Sequence, residues 1–194
     1  VVDYLKKKKE KINFCIVGEP KNPNRLGEMI KIGRRGSLTG KIEIYGTQGH
    51  VAYPHLSNNP INTLVSICKK LKEKKLDRGN KNFQPSNLEF TAINVHNTAH
   101  NVIPSRARAQ FNVRYNNFHN ASTLKKKINS EVKSICRKNK CKFKIEFITN
   151  GDSFLTKPEK TIFMAKKIIK KITKITPKFS TTGGTSDARF IRKI

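Results

Sequence analysis

The chain has 194 residues, 41 of them Lys or Arg against 13 Asp or Glu, a formal net charge of +28 and a pI near 10.3. That balance excludes an acidic protein, and the length allows one sizeable domain or two small ones with a real core. Hydrophobic residues at 36% keep the chain above the level of a disordered polymer. Of the basic residues 31 are Lys and 10 are Arg; with 21 Ile and 19 Asn, also amino acids with AT-rich codons, much of the charge reads as nucleotide-composition bias. The lysine runs, such as Lys6 to Lys9 and Lys125 to Lys127, are scattered over separate segments. They are expected to be solvated helix faces, with general attraction to polyanions but no specific nucleic acid partner. Four cysteines without a C-x-x-C pair, and no secretory leader ahead of them, predict reduced thiols in the cytoplasm. No apolar run approaches the roughly 18 residues that cross a bilayer, so no membrane association is expected.

In chain order, Val1 to Lys9 reads as the end of a helix. Asn13 to Val17 is a short apolar run stopped by Gly18-Glu19-Pro20, which predicts a buried strand delivering Glu19 at its C-terminal edge. A carboxylate there can ligate a metal or be an ordinary turn residue. In Gly33-Arg34-Arg35-Gly36-Ser37 a guanidinium flanked by glycines can reach a carboxylate bidentately, or the arginines can be solvated at a hinge. Ser37 to Tyr45 alternates as a strand. The loop Gly46 to His55 then projects His50 and Tyr53, where an imidazole can polarise a carbonyl, although a structural or merely exposed histidine explains the same residues.

Pro60 to Leu76 repeats apolar residues at helical spacing, and Asn87 to Val95 is a strand. His96 and His100 would make a metal pair on a helix, but they fall between two strands, so metal binding is not expected there. Asn101 and Pro104 close that loop. Arg106 to Tyr115 alternates with Ala107, Ala109, Phe111 and Val113 on one side; Arg114 is expected to point opposite to Phe111 and Val113 only if a local irregularity intervenes, which leaves its direction open. Ala121 to Lys138 is a helix and Lys142 to Ile148 a strand. A helix over Thr161 to Thr173 and a strand at Lys178 to Thr182 follow. In Thr181-Thr182-Gly183-Gly184-Thr185-Ser186-Asp187, exposed backbone N–H groups can form an anion nest for a carboxylate, and Ser186 or Asp187 can equally cap a helix.

The order from 36 to 150 is therefore βαββαβ, an α+β ferredoxin-like sheet with two helices on one face, while 1–35 and 151–194 read as pieces of an α/β domain into which it is inserted. No H-E-x-x-H, H-x-D or Gly-x-Ser-x-Gly occurs, and the acidic residues are isolated from one another. This chain alone is not expected to assemble a two-metal hydrolytic centre.

Taken jointly, Cys15-Ile16-Val17-Gly18-Glu19-Pro20, Lys31 to Leu38, Gln48 to Leu56, Asn101-Val102-Ile103-Pro104, Phe111-Asn112-Val113-Arg114 and Thr181 to Asp187 resemble the M20 family of dinuclear zinc peptidases and deacylases. Within it they favour the desuccinylases of diaminopimelate synthesis over acetylornithine deacetylase. The resemblance implies a partial α/β metallo-peptidase catalytic domain carrying a lid that forms the homodimer, with two zinc ions per subunit and cobalt as the alternative. It implies Glu19 as a zinc ligand, Arg34, Tyr53, Arg114, Gly184 and Thr185 as substrate-binding positions, and His50 and Asn101 as lid residues reaching the partner subunit's site. His50 would stabilise the oxyanion. The implied substrate is a small dicarboxylate amino-acid derivative, N-succinyl-LL-2,6-diaminopimelate. The remaining metal ligands and the catalytic Glu pair would lie upstream of Val1 and beyond Ile194, making the chain an internal piece of a longer enzyme. A catalytically inactive dimerisation module is the competing reading.

Overall fold

The computed structural model of the chain describes residues 2–18, 22–184, 186 and 188–191. Its elements are α1 (Val2–Lys7), β1 (Met29–Lys31), β2 (Gly33–Arg34), β3 (Gly36–Tyr45), β4 (Gly49–His50), α2 (Pro60–Glu73), β5 (Asn87–Asn94), β6 (Val102–Ile103), β7 (Arg106–Tyr115), α3 (Ala121–Lys138), β8 (Lys142–Gly151), β9 (Phe154–Leu155), α4 (Lys160–Thr173), β10 (Lys178–Ser180) and α5 (Ala188–Ile191).

Strands β5, β7, β3 and β8 lie in that order in one antiparallel sheet. Because side chains alternate along a strand, Leu38, Ile42 and Ile44 of β3 and Ala107, Ala109, Phe111, Val113 and Tyr115 of β7 share one face. Helices α2 and α3 cover that face with Leu64, Ile67 and Leu71 and with Leu124, Ile128 and Val132. Both helix starts are fixed locally. Asn59 accepts the Ile61 N–H ahead of Pro60 at 2.9 Å, and Asn120 and Thr123 form a reciprocal capping box. The βαββαβ order expected from the sequence is the order found.

Gly40 shows how tightly this core is set. It stands opposite Phe111, and a Cβ there would overlap the Phe111 ring. The ring lies across the glycine and meets Phe90 and Phe147 edge-on, with centroids 5.8 and 6.5 Å away. Gly40→Ala is therefore expected to lower stability by about 2 kcal/mol, the range of overpacked cores. A shift of the urea midpoint measures it, and an unchanged midpoint would contradict the close approach.

Two expectations are corrected. Asn13 to Val17 is not a buried strand: Phe14 is 44% and Ile16 78% exposed, and no described strand lies alongside it. Its apolar residues line a groove of about 520 Å³ with Met29, Ile30, Ile162 and Ile169. A short apolar run reports an apolar neighbourhood, and without a partner ladder it has no reason to extend. The direction of Arg114 is settled by β7, which alternates without interruption and puts Arg114 opposite Phe111 and Val113. The irregularities sit in its neighbours, between Phe90 and Ala92 and at Ser37/Leu38 against β8. Elsewhere the ends move slightly: α2 stops at Glu73, β8 continues to Gly151 and β10 stops at Ser180.

The polypeptide outside the sheet is thin. β1 and β10 pair in parallel, and α4 buries no residue fully, leaving Phe163, Met164, Ile168 and Ile172 about half exposed or more. β2 and β9 form a two-residue antiparallel pair where the chain enters and leaves the βαββαβ block.

Candidate active site

Cationic and backbone groups gather where β2 leaves β1 and β10. Lys31 Nζ donates to Ser180 Oγ at 3.1 Å and to Thr182 Oγ1 at 2.7 Å. Arg34, only 3% exposed, donates to the Thr182 carbonyl at 3.1 Å. Lys31 was not singled out from the sequence, although its motif was; the parallel β1–β10 register, which sets it opposite Ser180, brings it in. Gly183 has a φ of +99°, and no described residue beyond the chain neighbours lies within 4 Å of where a Cβ would stand at Gly183 or Gly184. Their main chain therefore borders open space beside the cations, as an anion nest requires. Thr185 falls outside the described residues.

Arg35 and Arg114 extend this charge along the sheet. Arg35 donates to the Pro85 carbonyl at 3.0 Å and to Asn87 Oδ1 at 2.9 Å, and Arg114 is paired in register with Ser37 on one side and Asn87 on the other. Burial lowers the pKa of the Arg35 guanidinium, the Arg114 charge lowers it further, and the Asp77 carboxylate offsets part of this. One buried guanidinium nitrogen of Arg114 and Nε of Arg35 have no hydrogen-bond partner among the described residues. Two like charges held together with unfilled donors form a place where a carboxylate gains hydrogen bonds and relieves repulsion at once.

His50, Asn101 and Tyr53 stand at the far end of the sheet. β4 pairs with β6, which sets His50 opposite Val102, next to Asn101. The imidazole Nδ1 accepts the Ala52 N–H at 3.1 Å, while Nε2 lies 3.3 Å from the Asn101 amide. With Nδ1 an acceptor, the proton of a neutral ring belongs on Nε2, which faces the Asn101 side-chain nitrogen and no acceptor of that residue. His50 thus offers an N–H donor on an exposed loop, the geometry that stabilises an oxyanion. Tyr53 is 57% exposed with its ring centroid 6.0 Å from that of His50, so it sits with the tip residues and not with Arg34. Nine steps along β3 separate the two ends, about 30 Å at a strand's rise per residue.

Among the described residues no group of three His, Cys, Asp or Glu could hold a metal ion. Glu19 lies outside the described residues.

The model of the M20 peptidase dimerisation domain matches residues 32–140. The chain belongs to the M20 peptidase family. It is 63% identical over 194 residues to a succinyl-diaminopimelate desuccinylase of Pelagibacter ubique, a match covering 100% of this chain and 50% of that protein. It is 48% identical over 193 residues to one of Methylobacterium radiotolerans, covering 99% of this chain and 49% of that protein. The chain spans about half the length of the curated relatives it matches. The solved structure of aminopeptidase PepT of Bacillus cereus superposes with a TM-score of 0.70 at 16% identity, over 86% of this chain and 43% of that one. A tripeptidase of Staphylococcus aureus gives 0.69 at 14%, over 84% and 42%. These two share the fold. The M20 match opens at Ile32, one residue before the β2 crossing, and takes in His50, Asn101, Arg35 and Arg114 alike.

Proposed function

We propose that this chain is the lid-bearing half of a succinyl-diaminopimelate desuccinylase. That enzyme hydrolyses N-succinyl-LL-2,6-diaminopimelate to succinate and LL-2,6-diaminopimelate on the way to lysine, in the cytoplasm. Residues 36–150 would be the inserted lid, and 1–35 and 151–194 parts of the catalytic domain. The observation that carries the reading is the division of the site: a carboxylate-binding surface at Lys31, Arg34, Arg35, Arg114 and Gly183-Gly184, and an oxyanion donor at His50 about 30 Å away. One chain cannot apply both ends to one substrate, and two copies can.

The lid offers a surface for that second copy. β8 is a sheet edge with exposed Lys142, Lys144, Glu146 and Ile148, and the other edge strand, β5, carries exposed Glu89 and Ile93. An edge strand with an exposed apolar residue suits pairing with its own copy. Arg34, Arg35 and Arg114 would orient a dianionic substrate, and His50 with Asn101 would reach the partner's scissile carbonyl. Glu19 would contribute one ligand to a pair of zinc or cobalt ions, whose chemistry is to supply an acidified water. No helix among the described residues is long and apolar enough to cross a membrane.

In the full-length enzyme, His50→Ala is expected to lower kcat by about a hundredfold, the loss of one oxyanion donor, with metal content unchanged. Turnover equal to the parent's would remove this role, and metal loss would reassign the residue.

A further inference from the structure

Two adjacent extended crossings, β2 and β9, join the lid to the flanking polypeptide, with Gly33 opposite Leu155 and Arg34 opposite Phe154. Such a pair defines an axis about which the lid can swing, and a contact on the axis does not set the angle; an off-axis contact does. The Thr181 hydroxyl, on a residue 4% exposed, makes one by donating to the main-chain carbonyl of Asn82. Asn82 belongs to loop 77–86, which leads from the end of α2 to β5.

A slack loop could not hold an angle, and this one is pinned. The Asp77 carboxylate accepts the Gly79 N–H at 2.7 Å, the Ser86 N–H at 3.2 Å, the Asn116 amide at 2.7 Å and His119 Nε2 at 3.0 Å. Burial pushes its pKa up, but the Ser86, Gly79 and Asn116 donors outweigh this and hold it below the usual carboxylate range. Asn116, with no exposed surface, also donates to the Gln84 carbonyl at 3.3 Å. Asn80 Oδ1 receives the N–H groups of Asn82 and Phe83, and Phe83 is 3% exposed. The same loop grips Arg35 through the Pro85 carbonyl. The loop therefore holds Arg35 through Pro85 and, through Asn82, the segment that leads into Gly183-Gly184.

We propose that Thr181 and the Asp77-pinned loop 77–86 form a latch that fixes the lid angle. Thr181, Asp77 and Asn116 are then positioning residues, setting the spacing between Arg114 on the lid and the Gly183-Gly184 backbone for one anionic substrate. The inference rests on the reading of this chain as a hinged lid of an amide hydrolase.

The test uses full-length, metal-loaded enzyme with Thr181→Val, which keeps the shape and deletes the donor, and Thr181→Ser, which keeps the donor. Amide hydrogen exchange of residues 181–184 and 77–86 is read without substrate. The Val variant is expected to exchange about tenfold faster in both segments, as the loss of one hydrogen bond permits, and the Ser variant to match the parent. With N-succinyl-LL-2,6-diaminopimelate, KM rises in the Val variant alone while kcat holds, because a smaller fraction of molecules is competent to bind. Parent-like exchange in Thr181→Val overturns the latch, as does equal acceleration in Val and Ser. Exchange as expected in a parent enzyme that leaves the N-succinyl substrate intact keeps the latch and overturns the desuccinylase reading.

Discussion

Mixing two full-length variants, His50→Ala and Arg114→Leu, each nearly inactive alone, is expected to restore about a quarter of the parent activity once subunits have exchanged. The number follows from the geometry. In a mixed dimer the His50→Ala subunit keeps its own Arg114 and borrows an intact His50 from its partner, so its site is whole. The other site lacks both groups. Half of a statistical mixture is mixed dimers, and half of their sites work. If each site drew His50 and Arg114 from the same chain, no mixture would recover anything. Activity that stays at the level of the separate variants, under conditions where subunit exchange is demonstrated by mass, would sink the shared site and with it the reason for placing His50 about 30 Å from the arginines. A monomeric full-length enzyme with full activity would do the same.

Legibility in the sequence followed periodicity. β3, β7, α2 and α3 are long enough for alternation or helical spacing to separate buried from exposed positions, and their ends were read to within a few residues. Asn13 to Val17 failed for the complementary reason: four apolar residues in a row record an apolar neighbourhood without saying whether a ladder exists to extend them. The candidate site was legible as motifs and illegible as geometry. Tyr53 is three residues from His50 and travels with it to the tip, a consequence of chain connectivity that a list of matched positions does not show. Lys31 became part of the site only through parallel pairing with residues about 150 positions later. The Asp77 cluster left no trace at all, since its partners Asn116 and His119 stand 39 and 42 residues away with no spacing that marks them. Polar contacts closed by tertiary structure have no period, which is why this loop looked like an ordinary connection. Glu19 and Thr185 lie outside the described residues.

Replacing Arg114 by Leu is expected to move activity and stability in opposite directions. Arg114 and Arg35 repel each other at the base of the lid, a buried nitrogen of Arg114 has no partner among the described residues, and the nearby Asp77 carboxylate already accepts four donors. On the proposed reading, the carboxylate of a bound substrate would fill that donor and offset the repulsion. Leucine removes the repulsion and the orphaned donor while keeping volume along the sheet face. Stability should rise by about 1 kcal/mol, a modest figure because Arg35 is only partly buried and solvent screens the pair. The Arg35 guanidinium should also regain part of its ordinary affinity for its proton, since one of the two causes lowering it is gone. Loss of a bidentate carboxylate contact formed in a desolvated site should lower kcat/KM on the N-succinyl substrate by about a thousandfold. Urea midpoints and steady-state kinetics on the same preparation read both. A variant that loses stability together with activity would show that Arg114 holds the lid together and that its apparent strain is met by contacts within the fold.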